Sequence, residues 1–78
     1  MNPNIHIGEE IKNVLNEQKR SVSWLADEIG YDQSNLHKQL KKPYIHIKLL
    51  YITSNVLNVD FFALYSNSLS IHKKNGEK

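Results

Sequence analysis

The chain has 78 residues, of which 40% are hydrophobic and 23% are charged, and its formal net charge is +2. This length accommodates one domain with one modest core, and the composition is that of a folded globular protein rather than of a disordered chain. Because the sequence contains no cysteine, disulfides and thiolate metal sites are excluded. No stretch approaches the roughly 18 apolar residues of a membrane span and no signal peptide is recognisable, so we expect a cytoplasmic protein without membrane contact.

Charge is distributed unevenly along the chain. Residues 1–32 carry three basic and six acidic side chains, whereas residues 33–48 carry four lysines and no acidic residue. A local basic segment on a nearly neutral chain is typical of a surface that faces a polyanion, but also of a solvated lysine-rich face. Charge alone does not separate these two interpretations.

Two helices are predicted in the first thirty residues, at about 7–18 and 22–29. In each, apolar residues recur at the three- and four-residue spacing of a single buried helix face. Ser21 is a suitable N-cap residue for the second helix, and Gly30 stands where a left-handed residue would end it. The predicted buried faces consist of Ile7, Ile11, Val14 and Leu15 in the first helix and of Val22, Leu25, Ala26 and Ile29 in the second.

A third helix is predicted over about 33–41. Asp32 is a suitable N-cap residue for it, and Leu36 and Leu40, one turn apart, form its inner face. The helix is expected to end before Pro43, because a proline disfavours helical geometry at the residue that precedes it.

A fourth helix is predicted over about 46–57, and Asp60 could cap a last turn or a short fifth helix after it. The fourth is more apolar than packing on one side requires, since its hydrophobic residues lie around more than one face. These residues are Leu49, Leu50, Tyr51, Ile52, Val56 and Leu57. We predict that this surplus surface, with Phe62 and Tyr65 of the C-terminal aromatic region, forms the contact of a homodimer. Residues 1–66 are expected to form the domain, and residues 67–78 a polar, disordered tail.

The junction of the second and third helices is the most informative feature of the sequence. Two short helices joined by a tight turn that contains a glycine are typical of the helix-turn-helix motif. Leu25-Ala26, Gly30 and Leu36, together with the predicted fourth and fifth helices, resemble the Cro/cI-type (XRE) helix-turn-helix domains of small bacterial and phage transcriptional regulators. The resemblance covers residues 6–65. It implies an all-α, compact bundle of four to five helices of the lambda-repressor-like type, with the motif formed by helices 2 and 3.

This resemblance also implies that the third helix enters the major groove of double-stranded DNA. With Leu36 turned inward, a step of about 100° per residue turns Ser34 and Lys38 outward, and the N-terminal end of the helix enters the groove first. The resemblance implies base contacts from Gln33, Ser34, Asn35 and Lys38. Phosphate contacts are expected from Ser23, His37, Lys41, Lys42 and Tyr44.

No catalytic, cofactor or metal site is indicated. The four histidines are far apart in sequence and none forms an i, i+4 pair, and the chain has neither a nucleophile elbow nor a phosphate-binding glycine loop. We predict a transcriptional regulator, with repression by occlusion as its mode, that is not an enzyme and takes no cofactor or small-molecule ligand. The alternative is a protein-interaction module, such as an antitoxin, that binds its partner through helix 4 and the aromatic C-terminal region.

Overall fold

The computed structural model describes residues 5–69, and within them the chain is all-helical, with five helices and no strand. The helices are α1 (Ile7–Glu17), α2 (Val22–Ile29), α3 (Gln33–Leu40), α4 (Ile47–Leu57) and α5 (Phe62–Ser68). The predicted all-α fold is confirmed, and the predicted bounds of the first four helices differ from the observed ones by at most one residue at either end. Helix α5 runs two residues past the expected domain boundary at 66. The remainder of the predicted tail, from residue 70 onward, lies outside the described residues.

Helices α1 to α4 each begin at a side chain that caps the backbone. Ser21 and Asp32, the two predicted N-cap residues of α2 and α3, accept from a backbone N–H of the first turn at 3.0 and 2.9 Å. His6 and His46 cap α1 and α4 in the same way through Nδ1, both at 3.1 Å. Because the first N–H groups of a helix have no partner within it, these side chains define where each helix starts.

One hydrophobic core lies between the inner faces of α1 to α4. The buried apolar residues are Ile7, Ile11, Leu15, Leu25, Ala26, Leu36, Leu40, Leu49, Leu50, Leu57 and Phe61. Three of the residues predicted for the buried faces of α1 and α2, namely Val14, Val22 and Ile29, are only partly buried and pack against the edge of this core. The spacing of apolar residues therefore predicted which face of each helix is turned to the core. How deeply each side chain is buried depends on which helix packs against it.

The N-terminus of α1 is in direct contact with the backbone at the end of α3. A Cβ atom placed on Gly8 would lie 1.9 Å from the carbonyl oxygen of Leu40 and 2.9 Å from that of Lys42. Beside it, the Ile7 N–H donates to the Pro43 carbonyl at 2.9 Å. This contact fixes the end of α3 against α1, and nothing in the sequence indicated it.

Helices α4 and α5 meet at a sharp bend. Asn58, with φ +58°, ends α4, and the Asp60 carboxylate accepts from the Ala63 N–H at 3.2 Å at the start of α5. The Gln18 side chain donates to the Leu57 carbonyl at 2.9 Å and so joins the end of α1 to the end of α4. Within residues 5–69 no single helix is long and apolar enough to cross a membrane; α4 and α5 meet that test only when taken together, across a bend of 112°.

Candidate nucleic-acid interface

Residues 30–32 form the short turn between α2 and α3. Gly30 has φ +69°, a left-handed conformation that glycine adopts without steric cost. The Tyr31 N–H donates to the Ala26 carbonyl at 2.8 Å and closes the end of α2. Leu25, Ala26 and Leu36 are all buried, and α2 packs against α3. The two helices therefore form one unit in which their relative orientation is fixed by buried apolar contacts.

Helix α3 has one buried face and one exposed face. Leu36 and Leu40 are 0% and 1% exposed and point into the core. All four residues predicted to contact bases are exposed, namely Gln33, Ser34, Asn35 and Lys38. The helix is thus held to the domain by one side only, and its polar side is accessible to a large ligand.

The residues predicted to contact phosphates lie on α2, on α3 and in the segment that follows α3. Ser23 is half-buried near the start of α2, and His37, Lys41 and Lys42 are exposed on α3 and just after it. Tyr44 is 69% exposed and lies in the loop before α4, where it also lines a groove with residues of α4 and α5. The structure therefore places this predicted phosphate-contacting side chain beside α4 and α5.

The basic side chains of this region pair with no acidic side chain among the described residues. Within residues 5–69 the one ion pair joins Lys12 and Glu9, on α1, at 3.8 Å. The acidic residue nearest to α3 in sequence, Asp32, accepts a hydrogen bond from the Asn35 N–H as the helix cap. The lysines at positions 38, 41 and 42 are consequently free to pair with external anions such as phosphate groups.

A contact between α2 and α3 arranges the N-terminal end of the exposed face. The Gln33 side-chain amide donates through Nε2 to the hydroxyl oxygen of Ser23. The two residues are ten positions apart and stand near the starts of two different helices. The sequence placed both in the candidate interface but gave no signal that they contact each other, because the bond depends on the crossing of α2 and α3.

A second surface, which we call the α4–α5 surface, is apolar and uncharged. It consists of Tyr44, Ile47, Tyr51, Phe62 and Tyr65. Ile47 and Tyr51, one turn apart on α4, are 67% and 60% exposed. A groove of about 270 Å³ lies between the loop, α4 and α5 and is lined by Tyr44, Ile45, Ile47, Leu50, Phe62 and Tyr65. Burial, and to a lesser extent the neighbouring Tyr44, raises the pKa of Tyr65.

Outside these two surfaces the notable side chains have structural roles. Trp24 is half-buried on α2, and the Arg20 guanidinium lies 4.1 Å from the centre of its ring, a cation–π contact that covers the indole. Across the part of the chain that the structure describes, no three His, Asp or Glu side chains are grouped so as to hold a metal ion. The candidate sites of the described residues are therefore the α3 face and the α4–α5 surface.

Comparison of the chain with protein-family models, with curated proteins and with solved structures finds no match. The resemblance to Cro/cI-type domains accordingly stays a prediction from the sequence. What the protein does has to be inferred from the geometry and charge of its two exposed surfaces.

Proposed function

We propose that this protein is a sequence-specific regulator of transcription that binds double-stranded DNA. In this proposal α2 and α3 form a helix-turn-helix of the lambda-repressor-like type, and α3 lies in the major groove. The observation that carries it is the division of α3 into a face anchored by Leu36 and Leu40 and an exposed polar face without any acidic residue. A helix about 10–12 Å across with its side chains fits a groove about 12 Å wide, provided that one side of it is unobstructed.

The contacts divide by chemistry. Gln33 and Asn35 carry amides that can bond to N6 and N7 of adenine, and Lys38 can donate to O6 and N7 of guanine. Side chains near the start of α2, on α3 and in the loop after it would bind the phosphate backbone and so fix the position of the protein along the DNA. This phosphate set comprises Ser23, His37, Lys41, Lys42 and Tyr44. No catalytic step or cofactor is part of the proposal.

Substitution of two lysines on α3 and just after it tests the proposal. Lys41→Ala is expected to weaken binding of all duplexes and to lower the slope of log K against log salt by about 1, since one phosphate contact is lost. Lys38→Ala is expected to cost about 1–3 kcal/mol on the preferred site and to relax its sequence preference. The measurement is a titration of labelled duplex, recovered by selection from a random pool, at several salt concentrations.

Lys12→Ala is the matched control, because this lysine lies on α1, where it pairs with Glu9. It should leave both the affinity and the salt slope unchanged. Binding that is insensitive to salt and to both α3-region substitutions would contradict the proposal.

We further propose that the regulator acts as a homodimer through the α4–α5 surface. An uncharged surface of exposed aromatic and aliphatic side chains is typical of a protein contact. A single domain covers one half-site, and two-fold pairing would place two copies of α3 about 34–36 Å apart, one turn of DNA. Pairing would thereby combine two weak contacts into one specific contact.

Tyr51→Lys tests the dimer. The charge would be buried within the apolar dimer contact, so we expect monomers in sedimentation and weaker binding of a palindromic duplex, with binding of a single half-site unchanged. Asn13→Lys, an exposed position on α1, adds the same charge elsewhere and should change neither. Sedimentation of the unaltered protein as a monomer, both free and on palindromic DNA, would rule the dimer out.

The second candidate is a protein-interaction module, in which the α4–α5 surface binds a different protein, as an antitoxin binds its toxin. Its support is the same apolar surface, with Ile47 and Tyr51 exposed. The two candidates differ in which surface is essential. In an interaction module Tyr51→Lys would abolish function and Lys38→Ala would have no effect, whereas in a DNA-binding regulator Lys38→Ala would impair it.

A further inference from the structure

Four exposed side chains form a stripe along the outer side of α4. They follow one another at intervals of three, four and three residues, which keeps them on one side of the helix. The same spacing is the one with which two helices pack along their length. We call this set the α4 stripe; it shares Tyr51 with the α4–α5 surface and consists of Lys48, Tyr51, Asn55 and Asn58.

Charges lie only at the two ends of this stripe. Residues 47–60 contain two charged side chains, namely Lys48 in the first turn of α4 and Asp60 just after its last turn. At about 1.5 Å per residue, the two ends of the stripe are about 15 Å apart. Neither charge takes part in an ion pair within residues 5–69. The Ala63 N–H occupies one of the two Asp60 carboxylate oxygens.

We infer that α4 of a second copy lies antiparallel along the α4 stripe, with Lys48 of each copy paired to Asp60 of the other; this inference rests on the proposed homodimer. In a two-fold contact each pairing occurs twice, so one antiparallel arrangement forms this ion pair at both ends. A parallel arrangement would set Lys48 against Lys48 and Asp60 against Asp60, and like charges opposite each other repel. The charges therefore select the antiparallel direction.

The spacing of the stripe favours the same arrangement. Intervals of three, four and three residues read the same from either end, so the stripe matches a reversed copy of itself. When Lys48 faces Asn58 of the second copy, beside Asp60, Tyr51 faces Asn55. An asparagine amide both donates and accepts, as a tyrosine hydroxyl does, so the polar groups in the middle of the contact can satisfy each other.

A groove at the corner of α4 and α5 provides room for the lysine of the second copy. Its volume is about 400 Å³, and Asp60 borders it together with the rings of Tyr51 and Phe62. Lysine packs its methylene groups on apolar surface while its ammonium reaches a polar edge. Lys48 of the second copy would accordingly lay its stem on the two rings and bring its ammonium to the carboxylate.

The experiment measures the dissociation constant of the dimer by sedimentation of the full chain without DNA. Lys48→Glu and Asp60→Lys each turn both of the symmetric attractions into repulsions, so we expect each to weaken dimerisation about tenfold. Lys12→Glu is the matched control, because it makes the same change of charge on α1 and should leave the dissociation constant unchanged.

An equimolar mixture of the two variants distinguishes lost pairing from lost folding. In a mixed dimer both ends of the contact again join opposite charges. We therefore expect the mixture to dimerise about as tightly as the unaltered protein, which a variant that does not fold could not do. Circular dichroism of each variant checks the helices, since Asp60 also caps α5.

The outcomes separate this arrangement from the proposed dimer. If the unaltered protein dimerises but both single variants do so equally well, as a parallel arrangement would require, the inference is overturned while the dimer stands. A mixture that dimerises no more tightly than either variant alone overturns it as well. If the unaltered protein stays monomeric both free and on palindromic DNA, the proposed dimer fails and this inference with it. DNA binding by α3 is tested separately, by the α3-region substitutions.

Discussion

Gly8→Ala is expected to destabilise the domain by an amount at or above the upper end of the roughly 1–3 kcal/mol that overpacking costs. The new methyl group would lie 1.9 Å from the Leu40 carbonyl oxygen, and that atom belongs to the backbone, so no side-chain rotation relieves the clash. Either α1 or the end of α3 has to move. The direction of the effect is diagnostic, since alanine in a helix is otherwise about 1 kcal/mol more favourable than glycine. The measurement is the free energy of unfolding in urea.

Asn13→Ala is the matched control for this substitution. It introduces the same residue into the same helix at an exposed position, where surface changes stay within about 0.5 kcal/mol. If the Gly8→Ala variant were as stable as the unaltered protein, α1 would not be packed against the end of α3. Because this contact also fixes the end of α3, we expect the variant to lose affinity for DNA even under conditions in which it remains folded.

The five helices could be predicted because their signals are local. The apolar spacing, the caps at Ser21 and Asp32 and the stop at Gly30 each act within one or two turns of chain. The caps at His6 and His46 were not predicted, because histidine is not among the residues that usually occupy that position. Local chemistry therefore determined where most helices begin and end, and the exceptions involve residue types with several possible roles.

The contacts between helices could not be predicted in the same way. Gly8 is an ordinary glycine in the sequence, and only the approach of α3 makes it indispensable. Likewise the Ser23–Gln33 bond depends on the crossing of α2 and α3. Tyr44 was expected to face DNA from its position in the loop; the path of the loop, held at Pro43 by α1, also brings it to the α4–α5 surface.

The exposed face of α3 could be predicted from the sequence only in part. The inward direction of Leu36 follows from periodicity, and the outward direction of Lys38 follows from the geometry of a helix two residues further on. Whether another element covers that outward side depends on the whole fold and cannot be read from one helix. None of the other four helices that the structure describes covers it, and this tertiary fact leaves the polar residues of α3 exposed.

Leu36→Ala is expected to cost about 3–5 kcal/mol, because it removes a fully buried side chain and leaves a cavity between packed helices. Small domains bury a smaller fraction of their surface than large ones do, and their stability lies toward the low end of the 5–15 kcal/mol that is typical of proteins. We therefore expect a large fraction of the variant to be unfolded at 37 °C and DNA binding to be lost at every salt concentration. Urea unfolding at lower temperature measures the loss of stability directly.

Lys38→Ala is the matched control, because it introduces alanine on the exposed side of α3, two positions after Leu36. Its free energy of unfolding should stay within about 0.5 kcal/mol of the unaltered protein, while its affinity for DNA falls. The pair distinguishes the side of α3 that holds the helix from the side that is proposed to read DNA. If Lys38→Ala were as destabilising as Leu36→Ala, the outward face of α3 would be packed within the protein, and α3 could not enter a groove.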